Sequence, residues 1–163
     1  MPTRDLRWSS GGAMIPSMLT KASLSRRLSR HVESEMYVDS GESSGGVAIY
    51  TLVDPRDLRE IRYVGQTSQP RRRFLQHLNT ARLWFPDERP WWVKSPKLRP
   101  LYTWIRDLYA DESRLPTMII CAWAETGAAA RLQERMHIIH CLANRLPLLN
   151  VESERFAQQP PLL

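Results

Sequence analysis

Tyr50 and Tyr63 stand thirteen residues apart, in a segment where aliphatic side chains would pack equally well. Ten residues after Tyr63 comes Arg73, and four residues further comes His77. A step of four is about one helical turn, so the guanidinium and the imidazole share one helix face. Two phenols beside a cationic helix face could bind and work on a phosphate group. Each residue also has a plainer reading. Tyrosines are ordinary strand residues, and Arg73 belongs to the run Arg71-Arg72-Arg73, which reads equally as a solvated basic face.

The elements that must position these side chains can be read around them. Residues 47–53 form a continuous apolar, β-branched run and predict a buried strand. Asp54-Pro55-Arg56-Asp57 is turn chemistry, and Ile61-Arg62-Tyr63-Val64 resumes with alternation. The pair predicts an antiparallel hairpin closed by Gly65. Ser68-Gln69-Pro70 reads as a helix entry, with Pro70 at the first helical position and the helix running to Leu83. Phe74, Leu75, Leu78 and Ala81 form its apolar face, and Arg73, His77 and Thr80 a neighbouring polar one. Residues 84–100 are irregular and rich in Pro and Trp. A helix over 101–111, a strand over 116–123 and a helix over 128–145 follow, with Asn150 just beyond. The order β-β-α-α-β-α predicts an α+β fold: a small three-stranded antiparallel sheet flanked by helices.

The composition narrows the partners. A chain of 163 residues, 42% of them hydrophobic, holds one domain with a real core. No apolar run approaches the roughly 20 residues of a membrane-spanning helix, so no membrane partner is expected. Cys121 and Cys141 are too few for a disulfide scaffold or a structural zinc site, which predicts free, buried thiols in a cytoplasmic protein. The net charge of +6 arises almost wholly after residue 45, where 17 Lys and Arg meet 12 Asp and Glu, and favours a polyanionic partner. Residues 1–45 read as a largely disordered leader and linker, with a targeting peptide or an upstream start as competing readings. The folded domain is expected over 46–155 and a frayed tail over 156–163.

At this point the sequence resembles the GIY-YIG nuclease family. Ala48-Ile49-Tyr50 and Tyr63-Val64-Gly65 are similar to its two signature strands. Arg73, His77, Glu134 and Asn150 follow in the family's order. The resemblance covers residues 46–151. Ala48 replaces the first Gly, Val64 replaces Ile, and Gln66 stands where several members have a Lys. What it implies is a metal-dependent endonuclease acting on DNA and leaving 5′-phosphate and 3′-hydroxyl ends.

On that resemblance, Glu134, the only carboxylate between residues 128 and 145, would anchor one Mg²⁺ or Mn²⁺. Arg73 would donate two parallel hydrogen bonds to the phosphate, a geometry lysine lacks. Tyr50 would accept the proton of the attacking water, with Tyr63 positioning it or the two roles exchanged. Nearby cations are expected to favour the phenolate over its ordinary pKa of about 10. His77 would relay a proton or bind phosphate, and Asn150 would orient Glu134 or its neighbours. Gln66, Thr67, Arg71, Arg72, Lys94 and Lys97 are the expected substrate-binding residues.

Other signals carry less. His137 and His140 are three apart and read as packing or surface histidines rather than zinc ligands. Trp84, Trp91 and Trp92 interleave with Lys94, Lys97 and Arg99 as in single-strand binders, or simply cover one end of the core. No separate recognition domain is visible. Any sequence choice would come from the Trp-rich insert, the leader, a homodimer or a guiding protein. The alternatives are a partner-guided nickase of repair or a mobile element, and a non-catalytic nucleic-acid-binding module.

Overall fold

Strand β2 (Val47–Asp54) forms where β-branched and apolar residues run together, and all but its first residue are buried. Both of its faces are covered, which is why the run is continuous rather than alternating. It pairs antiparallel with β3 (Asp57–Thr67) on one side and β4 (Thr117–Ala124) on the other. The computed structural model describes residues 36–37 and 45–150. The expected leader and tail otherwise lie outside the described residues.

The three antiparallel strands and three helices follow the expected order. Helix α1 (Pro70–Ala81) comes after the hairpin, α2 (Arg99–Glu112) after a 3-10 turn (Trp91–Lys94), and α3 (Gly127–Ala143) after β4. One strand was not foreseen. Residues Met36–Tyr37 form β1, which pairs parallel with β4 and makes the sheet order β1-β4-β2-β3. Two residues held by backbone pairing leave no periodicity to read. The pairing adds a strand to residues 1–45, which the sequence reads as a largely disordered leader.

Strand β3 is also longer than residues 61–64. Its first part is charged and exposed, with Asp57 and Arg59 two apart on one side of the pleated strand and Glu60 and Arg62 two apart on the other. Arg59 donates to Asp57 at 3.0 Å and Arg62 to Glu60 at 3.1 Å. The turn before it is fastened by Arg56, whose Nε donates to Asp54 Oδ1 at 2.8 Å and whose second terminal nitrogen donates to Oδ2 at 2.7 Å. Those hydrogen bonds hold the Asp54 carboxyl below its ordinary pKa.

The sheet separates two cores. On one face Ala48, Tyr50 and Leu52 pack with Phe74, Leu78 and Ala81 of α1 and Leu101, Tyr102 and Ile105 of α2. On the other, Ile49 and Val64 pack with Ala130, Ile138 and Cys141 of α3. Pro70 opens α1, and Arg82 closes it in the left-handed region with φ 58°. Thr126 caps α3, its hydroxyl accepting from the Ala129 N–H at 3.1 Å. Cys141 is buried as expected. Cys121 is exposed, on the opposite side of β4 from buried Ile120, which corrects the reading of two buried thiols. Among the described residues no helix is long and apolar enough to cross a membrane.

Candidate functional site

Register brings the phenols together. Tyr50 pairs across the hairpin with Gly65, and Leu52 pairs with Tyr63. Residues two apart on a strand share a face, so Tyr50 and Tyr63 are diagonal neighbours on the face covered by α1. Their ring centroids lie 6.1 Å apart. Gly65 leaves the room this requires: a Cβ there would stand 2.6 Å from the Tyr50 Cζ and hydroxyl and 2.8 Å from Tyr63 Cε1.

Helix α1 supplies the other groups from one face. Arg73 Nε donates to the Tyr50 hydroxyl at 3.2 Å. One turn later, His77 Nε2 lies 2.8 Å from the same hydroxyl, and its ring stands edge-on to Tyr63 with centroids 5.5 Å apart. Arg73 and Tyr50 also act on the Tyr63 hydroxyl, both favouring its ionised form. A fourth ring was not anticipated: Tyr102 of α2 brings its hydroxyl to 3.4 Å from His77 Nδ1. The sequence marks it only as an apolar position of a helix, because its partner lies 25 residues away.

Burial governs the protonation states. Tyr50 is fully buried, and burial outweighs Arg73, raising its pKa far above the ordinary phenol value. Tyr63, half-buried, is also raised, again by burial first. The expectation that nearby cations would favour the phenolate is therefore corrected: desolvation of the charged form is the larger effect. His77, 1% exposed, has its pKa lowered to about 3 by burial and by the Arg73 charge, so it is a neutral imidazole.

Glu134 approaches from the other side. Gln66 follows Gly65 and pairs with Ile49, whose side chain packs in the α3 core. Its amide Nε2 donates to Glu134 Oε2 at 2.8 Å. The Glu134 charge reaches Tyr63 and contributes to raising that phenol's pKa. The carboxylate therefore sits with Gln66 on the α3 face of the outer strand β3, while the phenols lie on the α1 face. Asn150 lies nearby in sequence register: Val64 N–H donates to its Oδ1 at 2.9 Å, and its Nδ2 donates to the Val64 carbonyl at 2.7 Å.

Of the six expected residues, Tyr50, Tyr63, Arg73 and His77 come together on the α1 face, whereas Glu134 sits with Gln66 on the α3 face and Asn150 clasps the Val64 backbone. The expected substrate contacts are more dispersed. Arg71 and Arg72 are exposed on the first turn of α1, where Arg72 donates to Gln69 at 3.3 Å. Thr67 turns the chain into that helix, its hydroxyl accepting from the Gln69 N–H at 3.1 Å. Lys94 and Lys97 are exposed around the end of the 3-10 turn. His137 Nδ1 is 2.9 Å from the Gln133 carbonyl and His140 bonds with Asn144, so both are occupied within α3.

Among the described residues no group of three or more His, Cys, Asp or Glu side chains could hold a metal. The donor set that is present is one carboxylate with a neighbouring amide, half-buried at an edge that solvent reaches. A hard divalent cation that keeps most of its waters and takes phosphate oxygens needs no more than this from protein, so these residues fit Mg²⁺ or Mn²⁺. No family model matches the chain, and neither a curated protein nor a solved structure matches it.

Proposed function

We propose that this chain is a GIY-YIG-type endonuclease that hydrolyses DNA phosphodiester bonds with one divalent metal ion, Mg²⁺ or Mn²⁺. The observation that carries this reading is the hydrogen-bonded set Arg73–Tyr50–His77, with Glu134 close enough for its charge to act on Tyr63. Paired phenols, a guanidinium and a carboxylate at one sheet edge match the needs of a phosphate diester under attack by water.

Glu134, oriented by the Gln66 amide, would hold the metal, which when bound supplies Lewis acidity to the phosphate and to the leaving oxygen. Arg73 would bind a non-bridging phosphate oxygen, and its hold on the Tyr50 hydroxyl fixes the direction of its fork. Tyr63 is the phenol nearer to solvent, so its ionised fraction, kept small by burial, takes the attacking water's proton while Tyr50 positions it. With His77 protonated on Nδ1, Tyr50 donates to Nε2, which fixes the direction of the Tyr50 hydroxyl. The exchange of tyrosine roles follows from the burial of Tyr50, which keeps water from its oxygen.

A second reading has one observation in its favour. Full burial of Tyr50 also suits a fold that binds nucleic acid without cutting it. Plasmid DNA incubated with the protein and Mg²⁺ separates the two. Metal-dependent nicking that disappears in Glu134→Ala and Arg73→Ala supports the nuclease. Binding without cutting by the unaltered protein under Mg²⁺ and Mn²⁺ would leave only the second reading.

A further inference from the structure

The Trp-rich insert divides into a buried anchor and an exposed ring. Trp92 is 2% exposed, and its Nε1 donates to the Thr80 carbonyl of α1 at 2.6 Å. Trp91, its neighbour, is 70% exposed, the highest value for a large hydrophobic side chain among the described residues. The 3-10 turn that carries both is closed by Val93 N–H donating to the Pro90 carbonyl at 3.2 Å and Ser95 N–H donating to the Trp92 carbonyl at 2.8 Å. A ring held out by a fixed turn loses little freedom on binding.

Beside it runs an open groove of about 410 Å³, lined by Asn79, Thr80, Arg82, Glu88, Arg89, Pro90 and Trp91. Its far wall is also fixed. Arg106 donates to the carbonyls of Phe85, Pro86 and Glu88 at 2.7, 2.8 and 2.9 Å. Arg82 stacks over the half-exposed Phe85 ring at 4.5 Å and pairs with Glu88, which neutralises the one acid of the lining. Between residues 86 and 99 four cations stand against two acids, and Arg89, Lys94 and Lys97 are exposed. Thr80 falls two turns beyond Arg73 on the same side of α1, roughly 10 Å along its axis. At the ~3.4 Å spacing of a stacked strand this is about three nucleotides.

We propose that this groove takes an unpaired nucleotide of a DNA strand, with the Trp91 indole as stacking platform and the surrounding cations on its phosphates. The site deepens the nuclease reading and rests on it for the substrate class: the preferred substrate has a single-stranded stretch beside the bond to be cut. A duplex keeps its bases stacked on one another and offers no free face to the indole, whereas every unpaired base does.

Binding read in EDTA by fluorescence anisotropy, with the full chain and a labelled thymidine oligonucleotide, tests the platform apart from cleavage. Trp91→Ala is expected to weaken binding about tenfold or more, Trp91→Phe to stay within about threefold of the unaltered protein, and both to keep its circular dichroism. An abasic oligonucleotide, which retains the phosphates, should bind the unaltered protein and Trp91→Ala alike. Equal binding of the thymidine strand by both proteins, or the same loss on the abasic strand or on duplex, overturns the platform. Cleavage lost in Glu134→Ala with no effect of Trp91 would sink this proposal alone. Trp91-dependent binding without metal-dependent cutting by any variant would leave the platform standing and remove the nuclease.

Discussion

Asn150 grips the backbone of Val64 with both ends of its amide, accepting from the N–H at 2.9 Å and donating to the carbonyl at 2.7 Å. Beside it the Leu149 N–H donates to the Arg62 carbonyl at 2.6 Å, so the segment after α3 continues the bonding of the outer strand. Edge strands present unpaired backbone groups, and this segment satisfies those that flank Tyr63. The residue expected to orient Glu134 acts first on the strand that carries Tyr63 and Gln66.

Replacing Asn150 by Ala removes one donor and one acceptor from a half-buried backbone. The expected loss is about 1–3 kcal/mol of stability, measured by urea denaturation. Asn150→Asp keeps the acceptor but turns a second oxygen toward the Val64 carbonyl, so it should recover only part of that loss. Stability of Asn150→Ala within experimental error of the unaltered protein would mean that water replaces both bonds.

Gly65→Ala places a methyl where the Tyr50 ring already sits, at 2.6 Å from Cζ. Tyr50 is fully enclosed, so its ring has nowhere to retreat without opening the α1 interface. Overpacking of this kind costs about 1–3 kcal/mol, and it also shifts the hydroxyl away from Arg73 and His77. Thermal unfolding should report the first effect. Nicking of plasmid by the refolded variant, reduced at least tenfold, should report the second. Unchanged melting together with unchanged nicking contradicts the packing described.

Gln66 fixes the Glu134 carboxylate through a 2.8 Å hydrogen bond. Groups that orient a metal-binding carboxylate typically change affinity by about 10–100-fold. Gln66→Ala is therefore expected to raise the Mg²⁺ concentration for half-maximal cleavage at least tenfold, while saturating metal restores most of the rate. A Mg²⁺ titration curve that coincides with that of the unaltered protein removes Gln66 from this role.

How much of this could be read from residue order depends on the range of the forces involved. Strand β2, the turn at Pro55-Arg56 and the entry of α1 at Pro70 are set by neighbours in sequence, and they fall where local chemistry puts them. The charged start of β3 escaped because hairpin pairing, not apolar alternation, holds it. Tyr50, Tyr63, Arg73 and His77 are close in sequence, so one hairpin and one helix suffice to gather them. Tyr102 and the Asn150–Val64 clasp depend on contacts 25 and 86 residues apart. The direction of the phenol shift was missed for a different reason. Charges are visible in a sequence, whereas the depth of burial that outweighs them is not.

Tyr102 is expected to hold His77 in one tautomer. Its hydroxyl, 3.4 Å from Nδ1, accepts from a protonated Nδ1 and leaves Nε2 to accept from Tyr50. Tyr102→Phe keeps the ring that packs on Trp92 with centroids 5.6 Å apart, so the fold should persist. Without the hydroxyl the Nε2-protonated form gains population and competes for the Tyr50 oxygen. Nitrogen chemical shifts of His77 should reveal the change of tautomer, accompanied by a severalfold fall in nicking rate. Identical shifts in both proteins would exclude this positioning role.

His77 also predicts how acid acts on the protein. Folding lowers its pKa from 6.5 to about 3, through burial and then the Arg73 charge, with Tyr50, Tyr63 and Tyr102 as its other ring neighbours. Between those values the unfolded chain binds a proton that the folded chain refuses. Stability is therefore complete above pH 6.5 and is lost as the pH falls toward 3, by at most about 1.4 kcal/mol per pH unit from this group. Asp54, whose pKa is lowered by Arg56 from 3.8, adds its own loss only at the acid end of that range. Urea denaturation at pH 7, 6, 5 and 4 should give a falling stability, and His77→Gln, less stable at pH 7, should give a flatter series. Parallel slopes in the two proteins would place the acid sensitivity elsewhere and contradict a neutral, enclosed imidazole at the centre of the site.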